Sequence, residues 1–209
     1  MPDNEPDAPP PTKGKPHWVL ALLASIILLT GGAFYLQSRS LPKPGLPADA
    51  VKIGGAFTLI AADGKPFSDA QLRGKPFAIF FGYTRCPDVC PTTLARMAGL
   101  RQKLGNDAMK FNIVFVSVDP THDKPAEIGH YVGLFGTPII GLTGSDAQLQ
   151  MIKDEYHVYV QKVPQPGGDF LIDHSAMVYL MDRNGTYADI INFQEPDNSA
   201  LAKLKLLIG

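Results

Sequence analysis

A continuous apolar run, Pro76 to Phe81, ends in Gly82 and leads within four residues to the first of two cysteines, Cys86 and Cys90. Each cysteine is followed by a proline, Pro87 and Pro91. A short unbroken apolar run suits a strand buried on both faces. From Pro91 to Leu104 the residues Leu94, Met97, Leu100 and Leu104 recur at helical spacing, with Gly105 as a stop. A second buried strand, Phe111 to Val118, follows. Strand, helix, strand makes a βαβ unit, right-handed by default. The cysteines then sit past the C-terminal end of its first strand, where open α/β sheets place their sites.

The rest of the chain extends this pattern. Phe57–Ile60 reads as a strand with Asp63-Gly64 as a hairpin turn, and Ser68 and Asp69 cap a helical turn. Pro125 to Phe135 is a helix and Ile139 to Leu142 a strand; Ser145 caps another helix, ending about Tyr156. Val158 to Val163 alternates as a strand. Ala176 to Met181 and Tyr187 to Phe193 form a hairpin across Asp182–Gly185, and Asn198 to Ile208 closes as a helix. The expected fold is an α/β sandwich around a mixed sheet.

Before this domain, Trp18 to Leu36 is nineteen residues without a charged side chain. As a helix it would be roughly 28 Å long, close to a bilayer core. It is longer than the ~7–15 residue core of a signal peptide and has no clear cleavage site, so the reading is an uncleaved transmembrane anchor. Residues 1–17, rich in proline and mixed in charge, read as a disordered tail, and 37–51 as a Pro-rich tether. The domain begins at residue 52 and runs to 209. Flanking charges tie, Lys13 and Lys15 against Arg39 and Lys43, so they do not orient the span. With 19 basic and 20 acidic residues, no basic excess points to nucleic acid.

Cys90 is placed at the helix N-cap, because Pro91 fits a first helical position, with Cys86 in the preceding turn. In that place Cys90 lies in the field of the helix amides, which favours its thiolate. The spacing is C-x-x-x-C, one residue longer than the thioredoxin-type redox motif, and neither a peroxidatic cysteine motif nor a P-loop is present. His174, in Asp173-His174-Ser175 before the terminal hairpin, is a candidate third donor. Of the other histidines, His17 abuts the span, His130 lies in a helix, His157 follows one, and His122 sits in the loop after Asp119-Pro120. Two thiolates and an imidazole are a soft set of low coordination number that suits Cu(I), with Zn²⁺ as competitor.

The chain from about Lys52 onward resembles the Sco/SenC copper-assembly proteins. The resemblance is carried by GYTRCPDVCPTTL over 82–94, VSVDP over 116–120, GLTG over 141–144 and DHS over 173–175. It implies a thioredoxin-like three-layer sandwich behind one N-terminal transmembrane helix, and copper ligation by Cys86, Cys90 and His174. The N-terminal tail, with three acids and no Arg, is not a mitochondrial transit peptide in composition, so a bacterial inner-membrane protein is the simpler reading; the resemblance implies a soluble domain in the periplasm, which leaves tail 1–17 in the cytoplasm. The expected function is a copper chaperone that delivers one copper to the dinuclear copper site of cytochrome c oxidase subunit II. Other periplasmic copper carriers or thiol reductants are further candidate partners. Two rivals stay open. One is a thiol–disulfide oxidoreductase using Cys86 and Cys90 as a redox dithiol; the other is a copper or redox sensor. No catalytic base for a substrate is evident. The chain departs from the family pattern at Thr121-His122 and at Phe170-Leu171-Ile172, which bears on partner contacts.

Overall fold

The computed structural model describes residues 52–209, together with Leu22, Ser25 and residues 28–32. The chain divides into two compact units, Met1–Ala50 and Val51–Gly209. The expected tail and tether, and most of the expected span 18–36, lie outside the described residues. Leu22, Ser25 and residues 28–32 are helical. Among the described residues no helix is long and apolar enough to cross a membrane.

The larger unit is a mixed α/β domain. Its first hairpin pairs β1 (Thr58–Ala61) with β2 (Pro66–Ser68). A one-turn 3-10 helix, Asp69–Leu72, leads to β3 (Phe77–Gly82), buried at all six positions. The following elements are α1 (Val89–Lys103), β4 (Asn112–Ser117), α2 (Pro125–Gly133), β5 (Ile140–Thr143) and α3 (Asp146–Tyr156). A hairpin of β6 (Val160–Pro164) and β7 (Phe170–His174) comes next, then β8 (Val178–Met181), β9 (Tyr187–Ile191) and α4 (Asp197–Ile208).

Seven strands form one sheet in the order β2-β1-β5-β4-β3-β8-β9. The pairs β3–β4 and β4–β5 are parallel and the others antiparallel. Strands β3 and β4 are central, which is why Phe77–Phe81 and Ile113–Val116 are apolar without alternation. Helix α1 turns Cys90, Thr93, Leu94, Met97 and Leu100 inward, the spacing expected of a helix with one buried face. Its last turns are pinned by the buried Arg101, which donates to Thr137 Oγ1 (3.0 Å) and to the carbonyls of Pro138 and Phe111. Arg96 holds the β9–α4 loop against α1 through Asp197 and the carbonyls of Asn192, Phe193 and Glu195.

One expectation here needs correction. Helix α1 starts two residues earlier than expected: its N-cap is Asp88, and Cys90 lies within the first turn. Pro91 permits this because the first four amides of a helix have no intrahelical acceptor, so a missing N–H at the third helical position costs nothing. His174 precedes the terminal hairpin, as expected. It ends β7, in a separate two-stranded ribbon whose register sets Val160 opposite His174. In β7 only Ile172 is buried, so no strong alternation marks the strand in the sequence.

Candidate metal centre

The site forms where β3 ends. Gly82 closes the strand beside Ser117 of β4, and the chain then turns through Tyr83–Pro87 into α1. Gly82 is required by packing: a Cβ there would stand 2.8 Å from Cys90 Sγ and 3.0 Å from Phe115 Cε2. The backbone of the strand end therefore lies directly against the sulfur, as a glycine at a close approach permits.

Cys90 is fully buried and Cys86 half-buried, and neither is in a disulfide. The Cys90 amide, one of the first-turn N–H groups that α1 leaves without an intrahelical acceptor, donates to Cys86 Sγ at 3.4 Å. The helix N-terminus thus acts on Cys86, not on Cys90 as its expected N-cap place implied. The shifts follow. A hydrogen bond from Cys90 holds the Cys86 thiol well below the usual thiol range, opposed by burial. The same partnership, then burial, drives Cys90 upward. The two shifts are opposite in direction, favouring the thiolate at Cys86 and the protonated form at Cys90.

His174 arrives from 84 residues further along the chain. Its Nε2 is 3.3 Å from Cys90 Sγ, and its Nδ1 is 3.1 Å from the carbonyl of Ser175. A carbonyl only accepts, so Nδ1 carries the hydrogen and Nε2 presents its lone pair toward the cysteines. The ring is held edge-on by Phe80 (centroids 5.9 Å apart) and Tyr83 (6.0 Å). Tyr83 is itself buried, and its Oη accepts from the Ile172 amide of β7 at 3.3 Å. The three donor atoms, Cys86 Sγ, Cys90 Sγ and one His174 ring nitrogen, all lie within 4.8 Å of one another. Among the described residues this is the one group of three or more such side chains placed to hold a metal ion. The three residues singled out from the sequence are therefore brought together. His130 and His157 are not among them, nor is His122, and His17 lies outside the described residues.

Sequence reasoning did not reach the groups that hold this arrangement. The buried Asp123 accepts from Thr84 through both amide (3.0 Å) and hydroxyl, and from Ser117 Oγ, tying the turn before Cys86 to the end of β4. Thr143 of β5 donates to the Asp123 carbonyl at 2.8 Å. The resemblance over 116–120 ran up to this network, but which side chain would accept Thr84 needs the tertiary fold. His122 is half-buried beside it, with Nδ1 2.7 Å from Asp119 Oδ2 and its ring against Phe170 at 5.6 Å. The two segments that depart from the family pattern thus touch each other.

Known proteins share this architecture. The chain is 35% identical over 176 residues to a SCO2-like protein of Rickettsia prowazekii, covering 80% of this chain and 86% of that one. The structure of Bradyrhizobium japonicum ScoI with copper bound superposes with a TM-score of 0.69 at 43% identity, over 74% of this chain and 99% of that one. BsSco, a member of the Sco family of cytochrome c oxidase assembly proteins in which a disulfide switch was identified, matches with a TM-score of 0.60 at 25% identity, over 77% and 96% of the two chains. The domain thus has the mixed α/β, thioredoxin-like fold of these proteins. The SCO1/SenC family model matches residues 47–209. From the strand end at Gly82 to the imidazole at the end of β7, this chain belongs to the SCO1/SenC family.

Proposed function

We propose that this protein is a copper chaperone. It binds one copper through Cys86 Sγ, Cys90 Sγ and His174 Nε2 and passes it to the dinuclear copper site in cytochrome c oxidase subunit II. The observation that carries this reading is the convergence of three soft donors within 4.8 Å, with the imidazole lone pair already turned toward the sulfurs. Such a set matches the coordination preference of Cu(I). Copper bound in the solved structure of Bradyrhizobium japonicum ScoI supports the choice of metal. The oxidase as destination draws on the role attributed to the Sco family through BsSco. Handover proceeds by ligand exchange, acceptor thiolates replacing Cys86 and Cys90 in turn. Residues 18–36 anchor the chain in the bacterial inner membrane with the domain in the periplasm, and the anchor raises the effective concentration near a membrane-bound acceptor.

A second reading is a thiol–disulfide oxidoreductase that reduces the acceptor's cysteines. The contact of the Cys90 amide with Cys86 Sγ and the contrast between the two thiols favour it, as does the disulfide switch of BsSco. Anaerobic copper titration against a competing chelator separates the two, because a metal role needs His174 and a dithiol role does not. In His174→Ala the chaperone reading expects copper to be lost to the chelator and oxidase assembly to fail at limiting copper. Normal assembly in His174→Ala beside failure in Cys86→Ser would replace it with the dithiol reading.

A further inference from the structure

The loop that follows β4 carries an imidazole that the metal site leaves unused. His122 Nδ1 lies 2.7 Å from Oδ2 of Asp119, whose carboxylate is buried. Asp119 is itself fixed: its Oδ1 accepts from the Thr121 amide at 3.2 Å, and its own amide donates to Ser117 Oγ at 3.0 Å. A carboxylate oxygen accepts, so the Nδ1 hydrogen of the neutral ring points to Asp119 and Nε2 is left as a bare lone pair. The remaining exposure of the side chain, 32%, makes the ring reachable from solvent, and the described residues offer Nε2 no hydrogen-bond partner. A buried carboxylate that orients an imidazole whose far nitrogen is free is the arrangement of a general base.

The dyad stands on the same end of the sheet as the cysteines. Gly82 and Ser117 are paired at the ends of β3 and β4, and the Val118 amide donates to the Gly82 carbonyl at 2.8 Å. The two loops that leave these strands run together, since Asp123, next to His122, accepts from the amide of Thr84, two residues before Cys86. On the other side the ring meets Phe170 of β7, at the opposite end of the strand from His174. Charged groups around this face are Asp119 on its own loop, Lys162 of β6 over the Phe170 ring, and the Arg85–Asp169 pair beside Phe170.

We propose that His122 is the proton acceptor for incoming thiols during copper release. The inference rests on handover by ligand exchange. An acceptor arrives as a thiol, and only its thiolate binds the metal. In the step, the acceptor S–H bond breaks and its proton goes to His122 Nε2. The new thiolate bonds to copper as the bond from copper to Cys86 Sγ breaks, leaving Cys86 as a thiolate, and the imidazolium then gives its proton to water. No electron changes hands.

The test measures the rate at which the copper(I)-loaded full chain in detergent passes its metal to glutathione, from pH 6 to 9.5. The wild type is compared with His122→Asn and Asp119→Asn, and copper affinity is measured for each. An ordinary thiol titrates near ~8.5, so a base is needed below that value and superfluous above it. At pH 6.5 His122→Asn should transfer about 10-fold more slowly, less than the roughly 10²–10⁴-fold a general base can give because about 1% of the thiol is already ionised there. The deficit should vanish by pH 9.5, copper affinity should stay unchanged, and added imidazole should restore the rate in His122→Gly. Equal rates at every pH, or a deficit of the same size at every pH, overturns the proposal. A wild type that gives no copper to any thiol fails at the prior reading of ligand exchange, and so is told apart from both.

Discussion

Replacing Gly82 by alanine tests whether the close contact of strand end and sulfur builds the site. The added methyl would lie 2.8 Å from Cys90 Sγ, 3.0 Å from Phe115 Cε2 and 3.2 Å from Phe80 Cε1. The strand cannot retreat, since β3 is paired on both sides, with β4 and β8, and every one of its residues is buried. The neighbours must move instead, and overpacking of this kind costs about 1–3 kcal/mol. For a domain of this size each kcal/mol lowers Tm by about 2–4 °C, so the variant should melt ~2–12 °C below wild type. The displaced atom is a donor: Cys90 Sγ is pushed from its place 3.3 Å from His174 Nε2. Copper affinity should fall with stability, by about tenfold or more, as when a group that orients a ligand is lost. Gly99 is the control. It lies inside α1 with nothing within 4 Å of a built Cβ, so alanine there should stabilise by about 0.5–1 kcal/mol through helix propensity. Thermal unfolding of the metal-free chain and a chelator competition read both effects. A Gly82→Ala chain that melts with wild type and keeps its copper would refute the argument from close approach.

Asp123→Ala leaves the Thr84 amide, the Thr84 hydroxyl and Ser117 Oγ without their shared acceptor. Urea unfolding should show a loss of about 3 kcal/mol, and an unchanged midpoint would mean that the network does not hold the cysteine turn. In the reduced, metal-free chain, iodoacetamide should modify Cys86 before Cys90, because Cys86 is the accessible thiolate and Cys90 is buried and pushed upward. Since the Cys86 shift is downward, its thiolate persists under mild acid and the rate should change little from pH 8 to pH 6. A fall of roughly tenfold per pH unit, as for an ordinary thiol near ~8.5, would contradict that assignment when followed by mass spectrometry.

Elements written by local signals were legible in the sequence. Strand β3 declared itself by its unbroken apolar run, the β8–β9 turn by Asp182–Gly185, and α3 by Ser145, which caps it in a capping box with Gln148. The cysteine pair was legible for the same reason, as a strand, a turn and a helix start in succession. The start of α1 was placed late because Pro91 is tolerated at its third residue as readily as at its first. Strand β7 went unseen because its neighbour is another short strand outside the main sheet, with one buried residue between Pro164 and His174. The meeting of His174 with Cys90 and of Thr84 with Asp123 spans 84 and 39 residues, and no local pattern encodes such distances. For His174 the family resemblance supplied what spacing could not.

The unequal burial of the two sulfurs would give the proposed exchange a direction in time. Cys90 has no exposed surface, whereas Cys86 and His174 are each half-open. On the proposed handover, an arriving ligand reaches Cys86 and His174 before Cys90, so Cys90 would be the last donor to let go. Loading along the same route would run backwards, with Cys90 the first donor to bind. In the proposed handover the intermediate would be a metal shared between the buried Cys90 sulfur and a foreign one.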